Sequence, residues 1–236
     1  MRRILVMAFH LFLKTPYYWF QIWWCSIHKS ISYEKGYQVI RHITQKANRA
    51  GRVTIETHGL ENIPKENGFM LYPNHQGLYD VLSFLDSCPV PFAFVIKKEV
   101  SNLILIKQII GAIGSEVIDR DDIKQSMQVI NKVAKEVENG RNYLIFAEGT
   151  RSKNGNNLLE FKGGSFKCAT KSKCPIVPCA LIDSFKPFDE KSIKPITVKL
   201  IYLPPLYYDE YKNMKTNEIA EQVKSRIEAV IREYTS

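Results

Sequence analysis

Residues 69–80 have the sequence FMLYPNHQGLYD, which indicates the class of fold more directly than any other segment. An apolar run with the length of a short strand ends at Pro73, and a polar turn separates it from residues 78–85, whose apolar spacing is helical. A strand that leads directly into a helix is the repeating unit of α/β proteins. The stretch therefore predicts a strand–turn–helix unit whose polar residues lie in the turn.

The same alternation of strand and helix continues on both sides of this unit. Further strands are predicted at residues 53–57, 92–96, 112–118, 143–146, 176–181 and 196–203, and helices at residues 103–110, 123–137, 165–171 and 219–231. In open α/β sheets, ligands collect beyond the carboxyl ends of the strands. We therefore predict an α/β domain over residues 51–236 whose functional residues follow its strands.

Length and composition limit the class of protein. The chain has 236 residues and 45% hydrophobic content, which fits one α/β domain with an appendage and excludes a disordered or collagen-like chain. Its five cysteines contain no Cys-x-x-Cys pair, so neither a disulfide framework nor a zinc knuckle is predicted. Reduced thiols that face the cytosol are expected.

Residues 1–50 differ from the rest in charge and aromatic content. They hold eight bases and one acid, Glu34, and so carry seven of the nine net positive charges. All three tryptophans, Trp19, Trp23 and Trp24, lie here among phenylalanines and tyrosines. Tryptophan and tyrosine favour the membrane interface, where the ring is apolar and its polar edge stays in water. An anionic membrane surface is therefore the predicted partner of this segment.

The apolar runs of this segment are interrupted. Residues 4–13 and 17–25 are separated by Lys14, Thr15 and Pro16, and each run is shorter than the roughly 20 residues of a spanning helix. We predict two short helices in one leaflet, the second capped by Thr15. The bases expected on anionic headgroups are Arg2, Arg3, Lys14, Lys29 and Lys35. The alternatives are a single kinked span and a helix that packs on the core.

His75 and Asp80 are the first candidates for catalysis. A histidine can accept a proton near neutral pH, and a carboxylate on its other nitrogen fixes the tautomer and stabilises the imidazolium. The spacing requires His75 in the turn and Asp80 on the following helix. No serine or cysteine nucleophile adjoins them, which favours a base that activates a substrate hydroxyl directly. The alternative for this pair alone is a solvated helix cap.

Cationic residues follow other predicted strands at the same edge. Arg120 and Arg151 end different strands, and a guanidinium offers a fork of donors that suits a phosphate. Lys98 adds a point charge. Glu148 stands beside Gly149, and we expect it to bind substrate hydroxyls or to orient Arg151. The alternatives are ordinary surface bases and, for Glu148, a helix cap.

Four sequence blocks, taken in order, resemble one known family. They are Asn74, His75 and Asp80; then Ile118, Asp119 and Arg120; then Phe146 with Glu148, Gly149, Thr150, Arg151 and Ser152; and finally Val177 with Pro178. Over residues 74–178 this pattern resembles the glycerolipid acyltransferases, especially the 1-acylglycerol-3-phosphate (lysophosphatidic acid) acyltransferases. Two positions depart from the family: Ala147 replaces its usual proline, and Gly77 replaces the serine of many members.

The resemblance implies a fold and a reaction. The fold would be α/β, a mixed and largely parallel sheet flanked by helices, with an N-terminal membrane-associated two-helix segment. The reaction would move an acyl chain from an acyl-CoA or acyl carrier protein thioester to the 2-hydroxyl of lysophosphatidic acid, giving phosphatidic acid, with no further cofactor and no metal. The enzyme would lie on the cytoplasmic face of the cell membrane, as a monotopic or peripheral protein.

The resemblance also implies roles for the motif residues. His75 would be the base and Asp80 its partner. Substrate would be bound by the motif residues and one neighbouring lysine: Asn74, Lys98, Arg120, Glu148, Gly149, Thr150 and Arg151. Trp19, Trp23, Trp24, Arg2 and Arg3 would lie at the membrane interface.

Other classes of function remain as alternatives. The nearest is an acyltransferase of the same family that acts on glycerol 3-phosphate or on another lysophospholipid. A non-enzymatic binder of membranes or nucleic acid would use the basic N-terminus, but tryptophans in an apolar stretch favour lipid over nucleic acid. A metal hydrolase would use His75, Asp80 and Asp119, which lack the usual spacing of metal ligands.

Overall fold

A computed structural model describes residues 2–28 and 30–235. Lys29, predicted above to contact headgroups, lies outside the described residues. The helices are α1 (Arg2–Leu11), α2 (Thr15–Ile27), α3 (Tyr33–Ala50), α4 (Asp80–Ser87), α5 (Lys98–Ser101), α6 (Ile106–Ile113), α7 (Ile123–Glu138), α8 (Lys167–Ser172), α9 (Lys186–Asp189), α10 (Tyr208–Tyr211) and α11 (Thr216–Thr235). The strands are β1 (Val53–His58), β2 (Met70–Pro73), β3 (Ala93–Lys97), β4 (Glu116–Ile118), β5 (Tyr143–Leu144), β6 (Ile176–Ile182) and β7 (Ile196–Tyr202).

The strands form one sheet in the order β1-β7-β6-β2-β5-β3-β4. Every neighbouring pair is parallel except β6 and β7, which are antiparallel, so the predicted mixed and largely parallel sheet is confirmed. The five strands from β6 to β4 therefore run in one direction. Their carboxyl ends meet at one edge, which we call the carboxyl edge.

Helices cover both faces of this sheet. One face carries α7, α8 and α11, and its buried residues include Tyr72, Tyr143 and Phe166. The other face carries α2, α3, α4 and α6, around Tyr37, Phe84 and other buried residues. All residues of β2 and β6 are buried, as expected for central parallel strands that are covered on both faces. The helix α3, although it lies within residues 1–50, buries Tyr37 and Ile40 in this second layer.

Two predicted boundaries were wrong in one region. The helix predicted at residues 103–110 begins only at Ile106, and the following strand, predicted from residue 112, begins at Glu116. Continuous apolar character cannot distinguish a buried helix from a buried strand or from an exposed apolar loop. Residues 103–105 form such an exposed loop.

The two predicted N-terminal helices are confirmed as α1 and α2. The interior faces of α1 and α2 bury Met7 and Ile22, while Phe9 and Trp24 are among the exposed apolar residues of the other faces. Thr15 does not cap α2 as predicted, because its hydroxyl donates to the carbonyl of Leu11 in the preceding helix. No helix in residues 2–28 or 30–235 is both long enough and apolar enough to span a membrane.

The prediction that Arg3 contacts lipid headgroups is wrong. Arg3 is 1% exposed, and its guanidinium donates to the carbonyls of Gly51 at 2.5 Å, Lys194 at 2.9 Å and Ser192 at 3.1 Å. The side chain lies on the inner face of α1, four residues before the buried Met7, so it points toward the body of the protein. Arg3 thus fastens α1 to the end of α3 and to the loop that precedes β7. Arg2, its neighbour, is exposed.

Candidate active site

His75 and Asp80 form the predicted pair. Their side chains meet between His75 Nδ1 and Asp80 Oδ2 at 2.7 Å, and the Asp80 side chain is fully buried whereas that of His75 is 20% exposed. His75 lies in the turn after β2, and Asp80 is the first residue of α4, as the spacing required. Because an ionised carboxylate only accepts, the shared proton is assigned to Nδ1, which leaves Nε2 as the basic position.

Backbone amides fix the Asp80 carboxylate. Gln76 N donates to it at 2.6 Å and Gly77 N at 3.0 Å, so the turn folds around the side chain that begins the helix. The N-terminus of a helix also favours negative charge. Gly77 fits closely here, since a Cβ at this position would lie 3.0 Å from Phe185 Cα. This close approach gives a reason for glycine where many members of the resembling family have serine.

Two side chains hold the histidine itself. The ring of Phe146 stacks on that of His75, with centroids 4.0 Å apart. Glu148 accepts from the His75 backbone amide at 2.6 Å through Oε1 and from Leu159 N at 3.0 Å through Oε2. Phe146 and Glu148 both follow β5, the strand next to β2. The segment after β5 therefore sets both the backbone and the ring orientation of His75.

Glu148, expected above to bind substrate hydroxyls or to orient Arg151, makes its hydrogen bonds to backbone amides. It is 2% exposed, and both of its oxygens are bonded to backbone amides. Burial raises the pKa of the Glu148 carboxyl to about 7, although the two amide donors oppose this shift. The predicted contact with Arg151 is replaced by these backbone bonds. Glu148 is a positioning group for His75.

Asn74, expected above to bind substrate, makes its hydrogen bonds within the protein. It is 2% exposed, and its amide donates to Leu181 O at 3.0 Å and accepts from Leu181 N at 2.7 Å. This pair of bonds joins the carboxyl end of β2 to that of β6. The position before the histidine therefore anchors the turn of residues 74–79, here called the catalytic turn, to the sheet.

Gln76 is a functional neighbour that sequence reasoning missed. Its side chain donates to Asn156 Oδ1 at 2.8 Å and to Leu181 O at 2.9 Å, and it accepts from Ser184 N at 2.8 Å. Ser152 N donates to the carbonyl of His75 at 2.8 Å. These bonds fasten the loop after β5 beside the catalytic turn. The only signal in the sequence was a polar residue next to His75.

Cationic side chains surround Gly149 at the same edge. Arg120 Nη1 donates to the carbonyl of Gly149, and Lys162 Nζ lies 3.2 Å from the place where a Cβ on Gly149 would be. Gly149 has φ +76°, a conformation that favours glycine. Thr150 is exposed and Arg151 is half-buried in the adjoining loop. Lys162 is not among the site residues that the sequence predicted.

Lys98 lies at the end of β3, as predicted, but its charge is paired. Its Nζ is 2.8 Å from Asp119 Oδ2, which follows β4. Asp119, the third residue of the alternative metal site, therefore bonds to Lys98. Across residues 2–28 and 30–235, no three His, Cys, Asp or Glu side chains converge in a way that could hold a metal ion. The site combines one histidine–carboxylate pair with a group of cations.

Comparisons with curated proteins identify relatives of known activity. The 1-acyl-sn-glycerol-3-phosphate acyltransferase of Cocos nucifera is 32% identical over 155 residues, which cover 64% of this chain and 49% of the relative. The Helicobacter pylori enzyme of the same name is 31% identical over 121 residues, 51% of each chain. The match thus spans about half the length of these two relatives. The Borreliella burgdorferi enzyme of that name is 28% identical over 184 residues, 75% of this chain and 73% of the relative.

A solved structure and a family model extend the comparison. The crystal structure of the 1-acyl-sn-glycerophosphate (LPA) acyltransferase PlsC from Thermotoga maritima superposes with a TM-score of 0.80 and covers 100% of this chain and 97% of its own. Its sequence is 20% identical, so the likeness shows a shared fold. The family model described as "Acyltransferase" matches residues 54–182, more than half of the chain and including the turn, the dyad and the Gly149 loop. The chain therefore belongs to the acyltransferase family.

Proposed function

We propose that this protein transfers a fatty acyl chain from a thioester to the 2-hydroxyl of lysophosphatidic acid and so forms phosphatidic acid in phospholipid synthesis. The observation that carries the proposal is the His75–Asp80 pair, whose free nitrogen lies at the same sheet edge as Arg120 and Lys162. A base beside a group of cations suits an acceptor that has both a hydroxyl and a phosphate. The choice of acceptor follows the relatives, which are 1-acyl-sn-glycerol-3-phosphate acyltransferases.

In the proposed reaction His75 is the general base. Nε2 removes the proton of the acceptor hydroxyl while this oxygen attacks the thioester carbon, and Asp80 stabilises the imidazolium that forms. When the tetrahedral intermediate collapses, the carbon–sulfur bond breaks and the imidazolium returns the proton to the departing thiolate. The acyl group thus moves from sulfur to oxygen without a covalent enzyme intermediate.

The cations near Gly149 are proposed to hold the acceptor phosphate. Arg120 and Arg151 each offer a planar fork of donors, and Lys162 adds a point charge beside Gly149. Lys98 contributes less, because Asp119 offsets its charge. A bound phosphate would fix the hydroxyl near His75, which lowers the entropic cost of reaching the transition state. The amide of Gly149 donates to Phe146 O at 3.1 Å, which makes it a poor oxyanion donor.

We further propose that α1 and α2 lie on the cytoplasmic face of the cell membrane, as a monotopic or peripheral anchor. Their outward faces and the turn between them expose apolar and aromatic residues that include Phe9, Phe12, Leu13, Trp19, Trp23 and Trp24. Exposed Arg2, Lys14 and Lys35 would meet anionic headgroups. The acyl donor is either acyl-CoA or acylated carrier protein.

The first test is thiol release from palmitoyl-CoA by the purified protein, with and without lysophosphatidic acid. His75→Ala should lower acceptor-dependent release by about 10² to 10⁴-fold. His58→Ala is the matched control, because His58 also contacts a carboxylate, Glu56, at 2.7 Å, but lies on β1 at the far side of the sheet. Release that does not depend on lysophosphatidic acid or on His75 would refute the proposal.

A second set of variants tests the phosphate role. Arg151→Ala and Arg120→Ala should raise the KM for lysophosphatidic acid more than the KM for the thioester, because each removes a phosphate donor. Arg52→Ala, a substitution beside β1, serves as the control. An increase confined to the KM of the thioester would contradict phosphate binding by these arginines.

A further inference from the structure

Large apolar side chains are exposed around the catalytic turn, although they are not part of the N-terminal helices. We call them the apolar rim. Its members and their exposed fractions are Leu78 (57%), Leu103 (55%), Ile104 (82%), Leu105 (40%) and Ile123 (79%). Single exposed apolar residues are common on soluble proteins, but three in succession, as at residues 103–105, usually serve a function.

The topology puts the whole apolar rim at the carboxyl edge. Leu78 lies between His75 and Asp80, directly after β2. Residues 103–105 follow α5, which begins where β3 ends, and Ile123 begins α7 soon after β4 ends. Since β2, β3 and β4 all run in the same direction, these side chains share one edge of the sheet with His75.

Residues 103–105, which we call the rim loop, have an unusual backbone conformation. Leu105 has φ +77°, a region that bulky side chains rarely adopt, and its amide donates to Gln108 Oε1 at 2.9 Å. Helix α6 therefore does not extend back through Leu105 and Ile104, although the apolar sequence is compatible with a longer helix. As a result these side chains project from the surface instead of packing under it.

We propose that the apolar rim is a second membrane contact, separate from α1 and α2, which places the catalytic edge directly on the bilayer. The occupant is a lipid bilayer because the rim loop leads into α6, and α6 packs against α2, with Ile109 and Ile22 in one apolar cluster. The aromatic face of α2 and the rim loop thus belong to adjoining elements. Lys107, an exposed base on α6, suits anionic headgroups.

This inference rests on the proposed function, in which acceptor and product are both lipids. With the rim in the interface, a lysolipid could place its phosphate by Gly149 and its hydroxyl by His75 while its acyl chain stays in the bilayer. The carboxyl edge has polar groups at His75 and Gly149 and apolar side chains in the rim around them. This arrangement suits a lipid, which has a polar headgroup and an apolar chain. The rim would therefore govern access to membrane substrate and leave the chemistry unchanged.

The test compares Ile104→Glu with Leu60→Glu. Leu60 is also exposed, at 42%, but it follows β1, whose carboxyl end lies at the opposite edge of the sheet. Partitioning is measured by sedimentation with vesicles of phosphatidylcholine and phosphatidylglycerol. Ile104→Glu should lower the partition coefficient by about tenfold or more, because one buried aliphatic side chain is lost and a charge is added. Leu60→Glu should change it by less than about twofold. Equal partitioning of Ile104→Glu and wild type, or equal losses in both variants, would overturn the proposal.

Activity measurements separate this proposal from the proposed function. Ile104→Glu should raise the apparent KM for vesicle-embedded lysophosphatidic acid, while its kcat on a water-soluble short-chain acceptor stays at the wild-type value. If the wild-type protein turns over neither acceptor and Ile104→Glu still binds vesicles poorly, the membrane contact of the apolar rim is supported and the proposed reaction is refuted. If Ile104→Glu partitions normally but turns over slowly only with an acyl carrier protein donor, the rim binds a protein and the membrane proposal is wrong.

Discussion

At the scale of single residues, Asp80 serves three donors at once. Its carboxylate accepts from His75 Nδ1, Gln76 N and Gly77 N, all within 3.1 Å. In Asp80→Asn the side-chain NH₂ group must face either the backbone donors or Nδ1 of His75. If it faces Nδ1, that nitrogen must accept, and the ring proton moves to Nε2, the position that should act as the base. We expect kcat to fall about 10² to 10⁴-fold with little change in either KM. Steady-state kinetics measure this, with circular dichroism to verify folding, and wild-type kcat would contradict the role of Asp80.

Glu148 makes stability depend on pH. Burial raises the pKa of its carboxyl from 4.5 to about 7, so the folded protein keeps a proton that the unfolded chain has already released. The free energy of unfolding should therefore fall as pH rises between these two values, by at most about 3 kcal/mol from this group. Urea unfolding of wild type and Glu148→Gln at several pH values measures the effect. The variant should lack this decline, and identical pH dependence in both proteins would refute it.

At the scale of elements, local patterns predict the strands, most helices and the turn that presents His75. Apolar periodicity and the polar residues that follow each strand are local properties, so they can be recognised in the sequence. The roles of Asn74 and Glu148 could not be predicted from the sequence. The role of a buried polar side chain depends on the backbone groups that it contacts elsewhere in the fold, here those of Leu181 and Leu159. Arg3 could not be predicted for the same reason, since its carbonyl partners Ser192 and Lys194 lie 189 and 191 residues away in the sequence.

The helices α3 and α4 are joined by a buried hydrogen bond next to the dyad. The hydroxyl of Tyr79 donates to Asn48 Oδ1 at 2.5 Å, and Asn48 Nδ2 donates to Asp86 Oδ2 at 2.6 Å. Tyr79 immediately precedes Asp80. Tyr79→Phe leaves Asn48 Oδ1 unpaired, so we expect a loss of about 1–3 kcal/mol in the free energy of unfolding together with a lower kcat.

A matched variant separates positioning from stability in that prediction. Tyr211 is 1% exposed and donates to Ala169 O and Cys174 O, but it lies on α10, away from the catalytic turn. Tyr211→Phe should lose similar stability while kcat stays at the wild-type value. If both variants lose kcat in parallel, the effect of Tyr79 is general destabilisation and its positioning role is refuted.

At the scale of the whole molecule, the N-terminal helices connect a proposed membrane surface to the catalytic turn. Met7 of α1 belongs to the same apolar cluster as Tyr79, which precedes Asp80. Arg3 holds α1 in this position through its three carbonyl contacts. Two adjacent arginines on one helix thus have different environments, because Arg2 is exposed and Arg3 is buried. Their substitution should separate binding to the membrane from catalysis.

We expect Arg3→Ala to release α1 from the body of the protein, since bonds from a charged donor to buried carbonyls stabilise folded proteins by about 1.5–3 kcal/mol each. Vesicle binding should persist, because Phe9, Phe12 and Leu13 remain exposed apolar residues, but turnover per bound enzyme should fall as Met7 leaves the apolar cluster that it shares with Tyr79. Arg2→Ala should do the reverse and weaken binding to anionic vesicles by about fivefold without slowing bound enzyme. Sedimentation, turnover per bound enzyme and proteolysis between α1 and α2 distinguish the two. If Arg3→Ala instead loses binding as Arg2→Ala does and keeps its turnover, Arg3 acts at the lipid surface and does not hold α1.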